Sequence, residues 1–194
     1  MSKIEQNREK KKQAILAAAK SVFLSEGYTS ASMDVIASQA KLTKQTLYRY
    51  FPSKIELFQA TMRQIGESYN GRYSQHLALE NNRDALISFA TEFMKFHLSQ
   101  EHIATQRLLI AEAGQAPEIV QSFMSIGPDD TDSALKAFFV ERLSIQQPES
   151  KIELWLGMLL APRFGALLGT PDLTEQKIVQ YAIEATDLLM SGIK

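Results

Sequence analysis

The run Thr43-Lys44-Gln45-Thr46-Leu47-Tyr48-Arg49-Tyr50-Phe51 carries the side chains best suited to recognising another molecule. Leu47 and Phe51, four apart, anchor a short helix to a core and turn a polar, cationic, aromatic face outward. On that face Gln45 can bridge the donor and acceptor edges of adenine in a major groove. Thr46 can touch a thymine methyl or a phosphate. Tyr48 can stack on a sugar and bond a phosphate or base edge. Lys44 and Arg49 supply charge for phosphates. Lys44 sits in the first helical turn, where a cation opposes the helix dipole, so its placement costs folding free energy unless an anion lies nearby. The same holds for Lys10, Lys11 and Lys12 near the start of an earlier helix.

Other chemistries find little support. There is no cysteine, so disulfides and thiolate metal sites are excluded. His97 and His102 are five apart, not at the i, i+4 spacing of a helical metal pair, and no carboxylate cluster supports them, so no metal or cofactor is expected. Neither a nucleophile elbow nor a phosphate loop is present. Ser38-Gln39-Ala40-Lys41 matches an S-x-x-K string without its partner motifs and is read as coincidence. The chain is therefore not expected to be an enzyme. No apolar run is long enough to cross a bilayer, since Leu154–Leu168 is broken by Pro162 and Arg163. No membrane partner is expected, and the default compartment is the cytoplasm.

The elements that must position the recognition residues read as helices throughout. Ile15, Ala18, Ala19, Val22 and Phe23 recur at helical spacing up to Gly27. Ser32 caps a second helix with Asp34 in its first turn. Thr43 caps the third, and Pro52 stops it. Ser53 to Glu56 reads as a capping box opening a long fourth helix to about Leu79. Three helices within residues 8–51, the last two short, have the rhythm of a helix-turn-helix unit. Further helices are expected at 82–99, 102–114, 117–127, 132–144, 149–168 and 173–190. Residues 1–54 hold ten Lys/Arg against four acids, a net +6, and the rest hold 11 against 18, a net −7. A basic head on an acidic body implies a polyanionic partner for the head.

The stretch from Gly27 through Val35-Ile36-Ala37, Ala40-Lys41-Leu42-Thr43 and Leu47-Tyr48-Arg49-Tyr50-Phe51-Pro52-Ser53-Lys54 to Phe58, with Ile15, Ala18-Ala19 and Phe23, resembles the DNA-binding domain of the TetR/AcrR family. The resemblance implies an all-α fold. Residues 1–52 would form a three-helix helix-turn-helix domain, and 53–194 a helical-bundle domain for ligand binding and dimerisation. It implies a ligand-responsive repressor that binds a palindromic double-stranded operator as a homodimer. It also implies that Thr29, Ser32, Thr43, Tyr50 and Lys54 clamp phosphates, so Lys54→Ala should flatten the salt dependence of DNA binding. The rival reading is a helical protein-interaction module without specific DNA binding.

The second domain says less. Gln106 to Ala113, with Pro117-Glu118, faintly resembles AcrR-type C-terminal domains. Its density of apolar and aromatic residues suggests a pocket for a small lipophilic effector among Phe89, Phe93, Phe96, Phe123, Met124, Trp155 and Met158. Arg107 is a candidate polar handle, as is Glu112, and core packing is the competing assignment for the aromatics. Two apolar helices near the C-terminus could pair with a second copy through Trp155, Leu159, Leu167, Tyr181, Ala185 and Leu188. The family resemblance implies that arrangement as a four-helix bundle.

Overall fold

The computed structural model describes residues 2–67, 73–125 and 131–192, and among them every regular element is helical. In chain order these are α1 (Lys3–Glu26), α2 (Met33–Gln39), α3 (Lys44–Tyr50), α4 (Lys54–Glu67), a 3-10 turn (Ser74–Ala78), α5 (Asn82–His97), α6 (Gln100–Glu112), α7 (Pro117–Ser125), α8 (Thr131–Leu143), α9 (Glu149–Leu160), α10 (Arg163–Leu167) and α11 (Glu175–Ser191). The chain divides into two compact units. Unit 1 is Met1–Ser68 with Ala104–Gly127, and unit 2 is Tyr69–Ile103 with Pro128–Lys194.

In unit 1, α1 begins well before its packed part. Ser2 Oγ accepts from the Glu5 N–H, and the Glu5 carboxylate accepts from the Ser2 N–H at 2.6 Å, a reciprocal cap that starts the helix at Lys3. Residues 2–14 are exposed, and burial begins at Ile15. From there Ile15, Ala19, Val22 and Phe23 face a core shared with Ile36, Leu47, Leu57, Phe58, Leu108 and Ile119. Phe58 meets Phe23 and Tyr28 edge-on, with centroids 5.4 and 5.3 Å away. Gly27 ends α1 at φ +86°, a conformation suited to glycine.

The expected connector from Ser53 to Leu79 differs from what is seen. α4 is described to Glu67, residues 74–78 form a 3-10 turn, and 68–72 lie outside the described residues. The expected end of α7 at residues 126–127 and the Gly127–Asp130 turn also lie outside them.

Unit 2 is built around α5, which packs against α11, α9 and the 3-10 turn. Phe89, Met94, Phe139, Trp155, Leu159 and Ala182 are all fully buried there. The single helix expected over 149–168 is two. Pro162 lacks an N–H and cannot continue α9, so the chain turns at 161–162 and restarts as α10.

Candidate nucleic-acid interface

The helix-turn-helix is set by local chemistry. Ser32 Oγ accepts from the Asp34 N–H at 3.2 Å and caps α2. α2 ends with Lys41 N–H donating to Ser38 O at 3.0 Å and Leu42 N–H to Ala37 O at 2.9 Å. That bond pair needs a left-handed residue, and Lys41 supplies it at φ +57°, where glycine is the usual choice. Thr43 Oγ1 then accepts from the Thr46 N–H at 3.2 Å and caps α3. Leu47 is fully buried and Phe51 nearly so. Thr43, Lys44, Gln45, Tyr48 and Arg49 are left exposed, and Thr46 and Tyr50 half-buried. The structure thus brings the α3 candidates onto one rigid helical turn.

The anion that Lys44 calls for is inside the chain. Its ammonium lies 2.9 and 3.0 Å from the two carboxylate oxygens of Asp34, which hold its pKa up. Both side chains are about 60% exposed, so the pair is open to exchange with a phosphate.

Lys54 and Thr29 lie together, in the turn before α2. The Lys54 ammonium donates to the carbonyls of Tyr28 (2.8 Å), Thr29 (3.1 Å) and Ala31 (3.1 Å), which matches its three N–H bonds. It also sits 4.7 Å from the Tyr28 ring centre. Across the turn, the Glu112 carboxylate of α6 accepts from the Thr29 N–H at 3.1 Å and from the Thr29 hydroxyl. Burial alone would raise the Glu112 pKa. The bonds from Thr29 and from the Tyr28 N–H, with the Lys54 charge, outweigh it and hold the carboxyl below its ordinary value. A Cβ on Gly27 would stand 2.5 Å from Glu112 Oε1, a second reason for glycine there. Glu112, read from sequence as a pocket handle, holds this turn instead. It lies 83 residues from Thr29, so no local pattern could reveal the contact.

In unit 2 the expected pocket residues Phe89, Phe93, Phe96 and Trp155 are at most 8% exposed. Phe89 stacks on Phe93 and on Trp155 with centroids 5.7 Å apart in both cases. Their i, i+4, i+7 stripe therefore faces the unit's own core. Met158 packs partly against the same cluster. Arg107, Phe123 and Met124 belong to unit 1, where Phe123 packs on the core and Met124 is exposed. A cavity of about 300 Å³ in unit 2 is bordered by Lys95, Leu98, Pro162, Asp172, Leu173 and Ile178, none of them expected pocket residues. Two polar atoms in this unit, Trp155 Nε1 and Thr186 Oγ1, are buried without a hydrogen-bond partner. His97 Nδ1 and His102 Nε2 are 3.1 Å apart. Burial, then the neighbouring charges of His102 and Arg163, push His97 down to about 3, and burial with Arg163 pushes His102 to about 4. Both rings are therefore neutral near pH 7.

Of the expected pairing residues, Trp155, Leu159 and Ala185 are buried within unit 2, Leu167 and Tyr181 are half-buried, and Leu188 is 62% exposed. The apolar side chains that α9, α10 and α11 leave to solvent are Leu154, Phe164, Leu168 and Leu188, each 62–71% exposed. Helical spacing reveals an apolar helix but not which of two apolar faces its own unit consumes.

A capped, rigid helix-turn-helix beside a helical domain with unspent apolar surface defines a DNA-binding regulator. Residues 15–61 match the bacterial regulatory proteins of the tetR family, and 84–191 match the C-terminal domain of AefR-like transcriptional repressors. The second match alone spans over half of the chain, and the chain belongs to the TetR family of DNA-binding transcriptional regulators. It is 26% identical over 169 residues to the transcriptional repressor KstR of Mycobacterium tuberculosis, across 81% of this chain and 72% of that one. It is 33% identical over 90 residues to the transcriptional activator FasR of Mycolicibacterium smegmatis, a match that covers 46% of this chain and only 41% of FasR. Among solved structures, the flavonoid-responsive regulator FrrA matches with a TM-score of 0.73 and 29% identity over 93% of this chain and 95% of that one. A TetR-family regulator from Mesorhizobium loti matches at 0.81 and 21% identity over 98% of both chains, which bears on the fold. Proteins of this family are regulators, not enzymes; they bind operator DNA and act as dimers. The interaction-module reading is disfavoured. No helix among the described residues is long and apolar enough to cross a membrane.

Proposed function

We propose that this chain is a cytoplasmic, ligand-responsive repressor that binds a palindromic operator as a homodimer, with α3 of each copy in a major groove. The observation that carries the reading is the outward face of α3: Gln45, Tyr48 and Arg49 exposed on a helix pinned by fully buried Leu47. Gln45, Thr46 and Tyr48 read base edges. Ser32, Thr43, Lys44, Arg49 and Tyr50 hold phosphates, with Lys44 exchanging Asp34 for one of them. Thr29 and Lys54 act a step back, by fixing the turn that leads into α2. Leu154, Phe164, Leu168 and Leu188 form the face that pairs two copies and sets the half-site spacing at about 34–36 Å or a multiple of it.

Repression is favoured because the two similarities that span most of this chain are to repressors by name. Support for an effector comes from unit 2. A buried polar atom without a partner costs about 1–3 kcal/mol, and the Trp155 indole N–H is one such atom within an aromatic cluster. An aromatic molecule carrying a hydrogen-bond acceptor answers both features, and the similar regulator FrrA is flavonoid-responsive by name. Such an effector would lower operator affinity, and DNA would weaken its binding by the same factor.

Selection of bound duplexes from a random pool by the full chain tests the reading. It should return one palindromic motif, and a panel of polyoxygenated aromatic compounds should contain members that release the selected duplex. A pool left unenriched would remove the operator reading, and a panel without effect would remove this effector class.

A further inference from the structure

We propose that the exposed first half of α1 is a second DNA-contacting element, in which Arg8 and Lys11, together with Arg49 at the end of α3, grip the phosphodiester backbone beside the groove that α3 reads. This rests on the reading of α3 above.

No packing role accounts for this stretch. Residues 3–14 run for about 18 Å as helix and are exposed throughout. Ile4, Arg8, Lys11 and Ile15 follow one another at i, i+4, i+7 and i+11, so they share a face. At Ile15 that face is fully buried in the core of unit 1. Continued outward, it passes the end of α3, where the Tyr50 hydroxyl donates to the Arg8 carbonyl at 3.4 Å. The α1 projection is thereby tied to the recognition helix.

Between them lies an open groove of about 430 Å³ lined by Ile4, Asn7, Arg8, Lys11, Arg49 and Tyr50. It holds three cations and no acid. None of the three charged side chains makes an ion pair or hydrogen bond among the described residues. The acids nearest in sequence are committed elsewhere: Glu5 caps the helix and Glu9 accepts from Gln13 at 2.7 Å. The neighbouring larger groove does contain carboxylates, from Glu5, Glu9 and Glu56. Three like charges converging without a counter-charge repel one another, and a polyanion removes that repulsion. Two guanidiniums and an ammonium match the oxygens of successive phosphates. A membrane surface fits less well, since Ile4 is the only aliphatic side chain in the groove.

The test compares wild type with Arg8→Ala/Lys11→Ala and with the charge-matched Lys3→Ala/Lys10→Ala, whose side chains lie away from the groove face. Alanine suits exposed helix, so folding is retained, as circular dichroism would verify. Binding is measured against salt on the duplex that wild type selects and on a random 30-mer. Each lost phosphate contact lowers the slope of log K against log salt by about 0.9. Arg8→Ala/Lys11→Ala should therefore lose about 1.8 slope units on both duplexes and keep its preference between them. Lys3→Ala/Lys10→Ala should lose much less. Equal losses in the two variants, or an unchanged slope in the first, would overturn the proposal while the α3 reading stands. A wild type with no duplex preference would instead remove the α3 reading. Loss of binding to equimolar phosphatidylcholine–phosphatidylserine vesicles, with the DNA slope intact, would assign the groove to a membrane and also overturn the proposal.

Discussion

Replacing Lys54 by methionine separates two roles that a lysine at this position could have. Its ammonium donates to the carbonyls of Tyr28, Thr29 and Ala31, while its stem lies against the Tyr28 ring. Methionine keeps much of the stem and helix propensity and removes only the charge and the donors. A charged hydrogen bond nets about 1.5–3 kcal/mol, but the turn is half exposed and water can recover part of each bond. About 2 kcal/mol is expected for the three together, or roughly 4–8 °C in Tm for a chain of this length. Scanning calorimetry and urea unfolding of Lys54→Met against wild type measure it. The same variant is titrated with duplex DNA over a range of salt. A lysine on a phosphate would take about 0.9 units of slope with it; a lysine that braces the turn lowers affinity and leaves the slope alone. A variant as stable as wild type with a slope reduced by one unit would refute the bracing role and restore the phosphate clamp.

Lys41→Gly should stabilise unit 1. The left-handed conformation costs an L-residue about 1–2 kcal/mol, offset in part by the entropy glycine loses on folding, so a gain of about 0.5–1 kcal/mol in urea unfolding is expected; a loss would show that the lysine stem compensates. Glu112→Gln should destabilise at neutral pH. Because the folded pKa of Glu112 lies below its ordinary 4.5, the wild-type advantage is full above that value and shrinks as pH falls through the folded pKa; a pH-independent gap between the two proteins would contradict the bonding to Thr29. The His97–His102 pair works through the opposite charge type with the same trend. Both pKa values are depressed, so stability is full above 6.5 and falls with pH by up to about 1.4 kcal/mol per unit for each ring held neutral. His97→Gln/His102→Gln should flatten the unfolding profile between pH 7 and 5, and a profile as steep as wild type's would show that the pair is not the cause.

What the sequence revealed was what is local. Caps at Ser32 and Thr43, the stop at Pro52 and the anchor pair Leu47/Phe51 each depend on residues within four positions, and each appears as expected. The contacts that escaped are long-range. Asp34 reaches Lys44 across ten residues, and Glu112 reaches Thr29 across 83. The cap formed by Ser2 and Glu5 is local but was passed over, because no apolar repeat follows it until Ile15. In unit 2 the difficulty is degeneracy. Apolar spacing marks Leu154, Trp155 and Leu159 alike, and only tertiary packing shows that Trp155 and Leu159 turn inward while Leu154 stays exposed. The aromatic stripe of α5 is equally consistent with a lined cavity or a filled core, and packing filled it.

The central claim is that α3 reads base edges in the major groove. Its most direct test is the affinity of the full chain for its selected duplex when the purines are replaced by 7-deaza analogues, which remove the N7 acceptor from the major groove and leave the minor groove and phosphates unchanged. The account predicts at least about a tenfold weakening, the low end of one lost base contact, and no further effect of the replacement in Gln45→Ala at the positions Gln45 reads. Equal affinity for the native and substituted duplexes would contradict it.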